Sequence, residues 1–583
     1  MGTVWRPLPI LRFSPSANAS LLLNTHLNQL MMTSFASQEA TPLLDALSLC
    51  ANRQNAAFYT PGHKRGQGIS PAIATLIGDT AFRADLPELP ELDNLFNPQG
   101  VIQQAQALAA EAFGSEQTWF LANGSTCGIE AAVLAVCNPG DSIILPRNVH
   151  QSMISALILS GASPIFVQPD YDLSSGLAHG VSPAAIAHAL THYPSAKAIM
   201  IVSPTYHGVC PNVAAIAQLA HQHHIPLLVD EAHGPHFAFH PDLPTPALAA
   251  NADLVIQSAH KVLAAMTQAA MLHVQGRRIN RDRLNQALQL TQSTSPNYLL
   301  LASLDSARQQ MALAGHDLMT RTLSLADLAS HQINALPDLS VLTNEAEGAI
   351  PGFHQLDRTR LTVDVSGLGI TGFAADEFLH EQFSVTAELP TLRHLTFIIS
   401  LGNTLEDIQR LIVGFEALVE KQGRQGGQGI SLVETQYIAS RGDGGDGEDG
   451  GGNVGWALPT HHLSAPFGEG RNRKDGEGGG ENAIQNPQSK IQNPLIQIPL
   501  ISPRDAFFAV TETLPIEQAV NHICAELICP YPPGIPMLLP GESITDTAIA
   551  TLQQVLATGG VITGCSDPAL TSLKVVKRVV KGP

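Results

Sequence analysis

Between about residues 45 and 275 the chain alternates short apolar runs with stretches of helical periodicity, and this restricts the fold more than any other feature of the sequence. The runs at 142–145, 164–167, 198–202, 226–229 and 254–256 read as buried strands, and the Ala- and Leu-rich stretches at 129–136 and 213–221 read as helices. Strand and helix in alternation imply crossover units around a mostly parallel sheet, an α/β fold. Ligands are then expected beyond the carboxyl ends of the strands, so the residues there are the ones to inspect.

The length of 583 residues implies several domains. Residues 1–40 are polar and dotted with proline, and read as a tail or as a start placed too early. Residues 41–335 form the major domain, ending in a mainly helical stretch, and 336–421 form a small α+β domain that includes the strand-like run 395–400. Residues 422–498 change character: Gly442-Asp443-Gly444-Gly445-Asp446-Gly447 carries almost no apolar surface, and Ile-Gln-Asn-Pro occurs at both 484–487 and 491–494. Such composition cannot bury enough surface to offset its ordering entropy, which predicts a disordered insertion. Apolar patterning resumes in a small C-terminal domain, 499–583.

Composition excludes several classes of function. With 31 Lys and Arg against 50 Asp and Glu, the net charge of −19 argues against a nucleic-acid binder, which needs a concentrated basic face. Only 14% of residues are charged and 44% are hydrophobic, a globular composition. The seven cysteines, an odd number without a CxxC pair, suit reduced cytosolic thiols better than a disulfide framework or a zinc ribbon. No apolar run approaches the 18 or so residues of a membrane helix, and the first 30 residues show no convincing signal peptide, so a cytoplasmic protein is expected.

Three strand or loop ends carry chemistry. Gly124, Ser125 and Thr126 precede a predicted helix, whose free N–H groups and dipole favour a phosphate; the alternative is a Ser or Thr cap with a glycine turn. The strand at 226–229 runs into Asp230, which can cap a helix or present a carboxylate to a ligand. The strand at 254–256 runs into Gln257-Ser258-Ala259-His260-Lys261, where the lysine is a candidate Schiff-base former or a solvated surface residue. Phosphate cup, acid and lysine in this order are what a pyridoxal 5′-phosphate site requires. The acid keeps the pyridine nitrogen protonated and the lysine holds the aldehyde.

Six motifs then resemble one family. Thr60-Pro61-Gly62-His63-Lys64-Arg65-Gly66, Leu89-Pro90-Glu91-Leu92-Asp93-Asn94-Leu95, Arg147-Asn148-Val149-His150-Gln151-Ser152, Ser203-Pro204-Thr205-Tyr206-His207-Gly208, Asp230-Glu231-Ala232-His233-Gly234 and Ser258-Ala259-His260-Lys261 are together similar to the bacterial ornithine/lysine/arginine decarboxylases, pyridoxal-phosphate enzymes of fold type I. The resemblance resumes from Cys529 to Glu542 and implies a short form without an N-terminal receiver-like domain. It implies that Lys261 carries the cofactor and Asp230 partners its ring nitrogen. His150 would stack on one ring face and Ala232 on the other, Ser125, Thr126, Ser258 and His260 would bind the phosphate, and Thr205 would sit near the ring hydroxyl. Glu542 would lie near the substrate channel. Two departures are visible: Gln151 where many members have lysine, and the insertion at 422–498, which puts the docking of the C-terminal domain and the position of Glu542 in question.

The implied reaction is decarboxylation of lysine, arginine or ornithine to the amine, with Lys261 or a nearby histidine such as His260 returning the proton. A homodimer is implied, as in fold-type-I enzymes generally. His221, His223 and His224 suit a solvated helix end, and His233 and His236 suit the lining of the cofactor pocket, so no metal is assigned. Asp85, Glu88, Glu91 and Asp93 form an acidic run that is either a solvated loop or, at Asp93, an attraction for a cationic substrate. The rivals are an aminotransferase or aldolase of the same fold, with Arg393 cast as the carboxylate anchor, and a catalytically silent cofactor-binding protein.

Overall fold

A computed structural model describes residues 37–425, 496–531 and 534–577. The expected N-terminal tail and inserted linker fall largely on 1–36 and 426–495, outside the described residues.

The centre of the fold is an eight-stranded sheet. Seven of its strands come from the major domain: β1 (Gln117–Leu121), β2 (Ser142–Pro146), β3 (Ser163–Val167), β4 (Ala198–Val202), β5 (Leu227–Asp230), β6 (Leu254–Gln257) and β7 (Ala270–Val274). They lie in the order β1-β7-β6-β5-β4-β2-β3. Pairs β2/β3, β2/β4, β4/β5 and β5/β6 are parallel, and β7 runs antiparallel to both β6 and β1. The mostly parallel α/β sheet expected from the alternation is therefore present.

Side chains alternate between two buried layers, as the pleat requires. Ile144, Ile165, Ile199 and Val229 pack against helices Val101–Phe113, Pro183–His192, Val213–Gln222 and Tyr298–Asn334. Their neighbours Ile143, Phe166, Met200 and Leu228 pack against Gly124–Val136, Gln151–Ser160 and Arg281–Thr291. Both faces are covered, so the strands read as continuous apolar runs without alternation.

Strands β1 and β7, which pair with each other, lie outside the apolar runs read from the sequence, and His273 interrupts the run of β7. His273 is fully buried and satisfied by its neighbours: its ring nitrogens lie 2.8 Å from Thr118 Oγ1 and 3.0 Å from Gln257 Oε1.

Beyond the 37-residue helix Tyr298–Asn334, strands Ser340–Val341, Arg360–Asp364, His394–Ile398 and Leu389–Pro390 form a second, antiparallel sheet. It packs against helices Gly372–Phe383 and Leu405–Gln425 through Leu361, Val363, Leu395, Phe397 and Phe415. The C-terminal part has its own core of Ile516, Cys524, Ile528, Leu538, Leu552 and Leu573.

Strand Ile496–Gln497, inside the stretch read as insertion, pairs antiparallel with Phe166 and Val167 and forms the eighth strand of the central sheet. The prolines around it hid this two-residue strand from a reading of composition. The C-terminal part thus docks on the sheet edge, and Arg504 Nη1 adds bonds to the carbonyls of Ile158 and Leu159 at 2.7 and 3.0 Å.

Candidate active site

The side chains singled out at the ends of β5 and β6 converge. Past Gln257, Ser258 begins the single helical turn Ala259–Val262, which presents Lys261 beyond the strand end. Lys261 Nζ lies 2.8 Å from His233 Nε2 and 5.7 Å from the centre of the Tyr206 ring. Burial, assisted by the Arg360 guanidinium, lowers the Lys261 ammonium to a pKa of about 8 against the pull of Asp230 and Glu388. Such a lysine holds a usable fraction of free amine near neutral pH, as a Schiff-base nucleophile needs.

Asp230 closes β5 and is buried, with its Oδ1 accepting the Ala232 N–H at 3.1 Å. Burial raises its pKa, while Lys261 and that N–H lower it. His150 caps helix Gln151–Ser160: its Nδ1 accepts the Ser152 N–H at 3.2 Å and lies 2.8 Å from Ser152 Oγ. Burial, then Lys261, push it down to about 4, so the ring is neutral. A flat neutral imidazole is suited to lie against an aromatic cofactor.

The Ser/Thr-cap alternative for residues 124–126 does not hold. Helix Gly124–Val136 is preceded by Asn123, whose side chain makes no capping bond and whose Oδ1 instead accepts the Ser293 N–H at 3.1 Å. The first turn therefore keeps N–H groups without a side-chain cap, as a bound anion requires. Gly124 takes a left-handed φ of 76° at this turn, and Ser258 Oγ donates to Ser125 Oγ at 2.7 Å, joining the two hydroxyls of the cup; Thr126 is exposed beside them. Buried Thr205 accepts the Val209 N–H on Oγ1 at 3.1 Å, leaving its hydroxyl hydrogen to donate. Burial, then Lys261, lower the pKa of His260.

Two residues expected near the substrate bond within the chain. Asp93 adopts φ 67° and turns its carboxylate onto the start of helix Val101–Phe113, where it accepts the N–H groups of Gln99, Gly100 and Ile102 at 2.7–3.2 Å. It organises a loop and a helix end. Glu542 accepts from Arg147 Nε and Nη2 (3.1 and 2.8 Å), Gln497 Nε2 (3.0 Å) and the Leu539 N–H (3.1 Å), so its oxygens are occupied within the chain. Arg393, the anchor imagined for a transaminase, bonds Asp364 Oδ2 at 2.6 Å and the Ser174 carbonyl at 3.3 Å.

Sequence reasoning missed three neighbours of Lys261. Tyr206 meets His233 edge to face, with ring centres 4.6 Å apart. Arg360, buried on the small-domain strand, donates from Nη2 to the His233 carbonyl at 3.1 Å, and its Nε lies 3.7 Å from Asp357 Oδ2. Its stem fits because residue 208 is glycine: φ is +89°, and a Cβ there would lie 2.8 Å from Arg360 Cβ. Glu388, on the same small domain, acts electrostatically on Lys261, Tyr206 and Arg360. Tyr206 stood inside a quoted motif, whereas nothing local marks Arg360 or Glu388.

His236 pairs with Asp357 at 3.2 Å. Among the described residues no group of three or more His, Cys, Asp or Glu is set to hold a metal, and no helix is long and apolar enough to cross a membrane.

This fold and this constellation define an α/β enzyme built around a half-buried lysine. The chain belongs to the Orn/Lys/Arg decarboxylase family: the family's major domain matches residues 41–350 and its C-terminal domain residues 490–561. It is 36% identical over 541 residues to an arginine decarboxylase of Bacillus subtilis, covering 93% of this chain and 99% of that protein. It is 25% identical to the lysine decarboxylase LdcA of Pseudomonas aeruginosa, covering 88% of this chain and 75% of that one. In fold it is similar to the solved lysine decarboxylase A of Pseudomonas aeruginosa (TM-score 0.71, 20% identity, 96% of this chain and 82% of that one). The solved lysine decarboxylase LdcF of Francisella novicida is alike to the same degree (TM-score 0.70, 20% identity, 97% and 84%). The enzyme is a decarboxylase of a basic amino acid.

Proposed function

We propose that the chain converts arginine to agmatine and CO₂ with pyridoxal 5′-phosphate bound at Lys261. The observation that carries the cofactor is the convergence of a half-buried lysine of lowered pKa, a buried carboxylate at the end of β5 and an uncapped helix start with two joined serine hydroxyls. Arginine is favoured over lysine and ornithine by the 36% identity to arginine decarboxylase along nearly the whole of both chains.

When bound, pyridoxal phosphate supplies the sink for the electron pair left as the carboxylate departs. The chain's own residues do the rest. Ser125, Ser258 and the N–H groups of the helix start would hold the phosphate, with Thr126 and His260 beside it, and Asp230 would keep the ring nitrogen protonated. His150 and Ala232 would flank the cofactor, Thr205 would offer it a hydroxyl donor, and Lys261 would be its point of attachment. Arg360, a buried cation on the same wall as Lys261, meets the substrate carboxylate, and Glu388 attracts the cationic end of the side chain.

The unit at work is a homodimer. Helix Pro71–Ile77 buries none of its residues, and Phe58 and Leu76 are 94% and 77% exposed, as expected of a surface that a second subunit covers. The seven free cysteines fit a reducing, cytoplasmic setting.

The test is CO₂ release from arginine, lysine and ornithine by the holoenzyme and by Lys261→Ala, with borohydride trapping of the cofactor. Arginine should turn over fastest and Lys261→Ala should neither turn over nor trap cofactor. A keto acid product, or trapping at another lysine, would reject the reading.

A further inference from the structure

We propose that His233 is a positioning residue for Lys261, its ring nitrogen Nε2 taking the hydrogen bond of the lysine ammonium and aiming the amine at the cofactor. The separation of 2.8 Å is that of a direct bond, and it joins residues on two different strand ends, so it is a property of the assembled sheet. His233 is itself held in place: Arg360 Nη2 binds its carbonyl at 3.1 Å, the Tyr206 ring packs edge to face with it, and only 4% of its surface is exposed. A rigid acceptor of this kind fixes one rotamer of a four-carbon chain that is otherwise free to turn.

The direction of the bond follows from charge. Burial, with Lys261 and Arg360 close by, holds the imidazole far below its usual pKa, so it is neutral and acts as acceptor. Its hydrogen then sits on Nδ1, which is buried and has no partner among the described residues. No described residue accepts from this N–H, as befits a wall that a ligand oxygen completes. His150 and His260 also feel the lysine charge, yet neither is within bonding distance of Nζ among the described contacts; the lysine's hydrogen bond goes to His233.

The inference rests on the cofactor reading for its catalytic consequence only, and its test separates the two. In apoenzyme, reductive methylation of Lys261 is followed by mass spectrometry as a function of pH. His233→Phe keeps the ring and its contact with Tyr206 but removes the acceptor. It should lower the pH midpoint for Lys261 by about one unit, the order expected for losing a hydrogen bond to a charged group. His233→Gln, which carries an acceptor at the same reach, should restore the midpoint. In holoenzyme the Phe variant should lose about tenfold in kcat with KM little changed. A Phe variant with the wild-type midpoint overturns the proposal, as does a shift that Gln fails to reverse. If the Phe variant does not accumulate, His233→Asn, whose amide stops short of Nζ, is read the same way. A normal His233 effect in a protein that captures no cofactor would reject the function and keep the inference.

Discussion

Arg147 and Glu542, 395 residues apart in sequence, meet as a two-pronged ion pair, Nε to Oε1 at 3.1 Å and Nη2 to Oε2 at 2.8 Å, with side chains only 2% and 5% exposed. Arg147 also donates to the carbonyls of Pro536 and Met537 at 2.8 and 3.0 Å, so one arginine beyond β2 gathers three points of the C-terminal part. Removing one partner of such a pair leaves a buried charge uncompensated, at a cost of about 3–5 kcal/mol. Glu542→Ala should lower the unfolding midpoint accordingly in denaturant titration. The less disruptive Glu542→Gln should leave KM for the amino acid unchanged; a raised KM with unaltered stability would return Glu542 to the substrate channel.

Asp93 and Glu388 should separate cleanly. Asp93→Ala removes a cap that satisfies several N–H groups, so a loss of about 1–2 kcal/mol in stability is expected, with KM untouched. Glu388→Gln should raise KM several-fold and leave the unfolding midpoint where it was. Steady-state kinetics beside thermal unfolding of the two variants checks both.

Asp230→Ala should retain some cofactor, because Lys261 and the serine cup remain, yet lose at least about a hundredfold in kcat, the scale on which a preorganised electrostatic group acts. An unchanged rate would remove Asp230 from the site.

The enzyme should weaken on mild acidification. His273 and His394 are buried, and burial pushes them from 6.5 to about 3 and about 4. As pH falls below 6.5 the unfolded chain takes up protons that the folded chain refuses, so stability is lost progressively from there down toward pH 4. At pH 5 the loss is about 2 kcal/mol for each histidine. Denaturant midpoints at pH 7 and pH 5 measure it, and His273→Gln should flatten the fall.

Much of the site was legible because its chemistry sits where strands stop. Asp230 and Lys261 follow continuous apolar runs that can only be strands covered on both faces, so their position at the crevice followed from topology. Arg360 and Glu388 reach the same crevice from a separate sheet some hundred residues later, and no local pattern announces that approach. At Asp93 the charge in a run is visible in sequence, while the left-handed turn that directs its carboxylate onto a helix end is not. Nothing in the sequence around Asn123 shows that its side chain is drawn away from the helix start by Ser293.

The last strand of the central sheet carries a practical consequence. Ile496–Gln497 lies against Phe166 and Val167 through backbone bonds and the packing of Ile496, and Glu542 meets Arg147 without a covalent tie. The contacts that join this joint among the described residues are therefore available to separate polypeptides. A gene broken anywhere in the codons for residues 426–495 would yield two halves that carry complementary surfaces and can reassemble as a split enzyme.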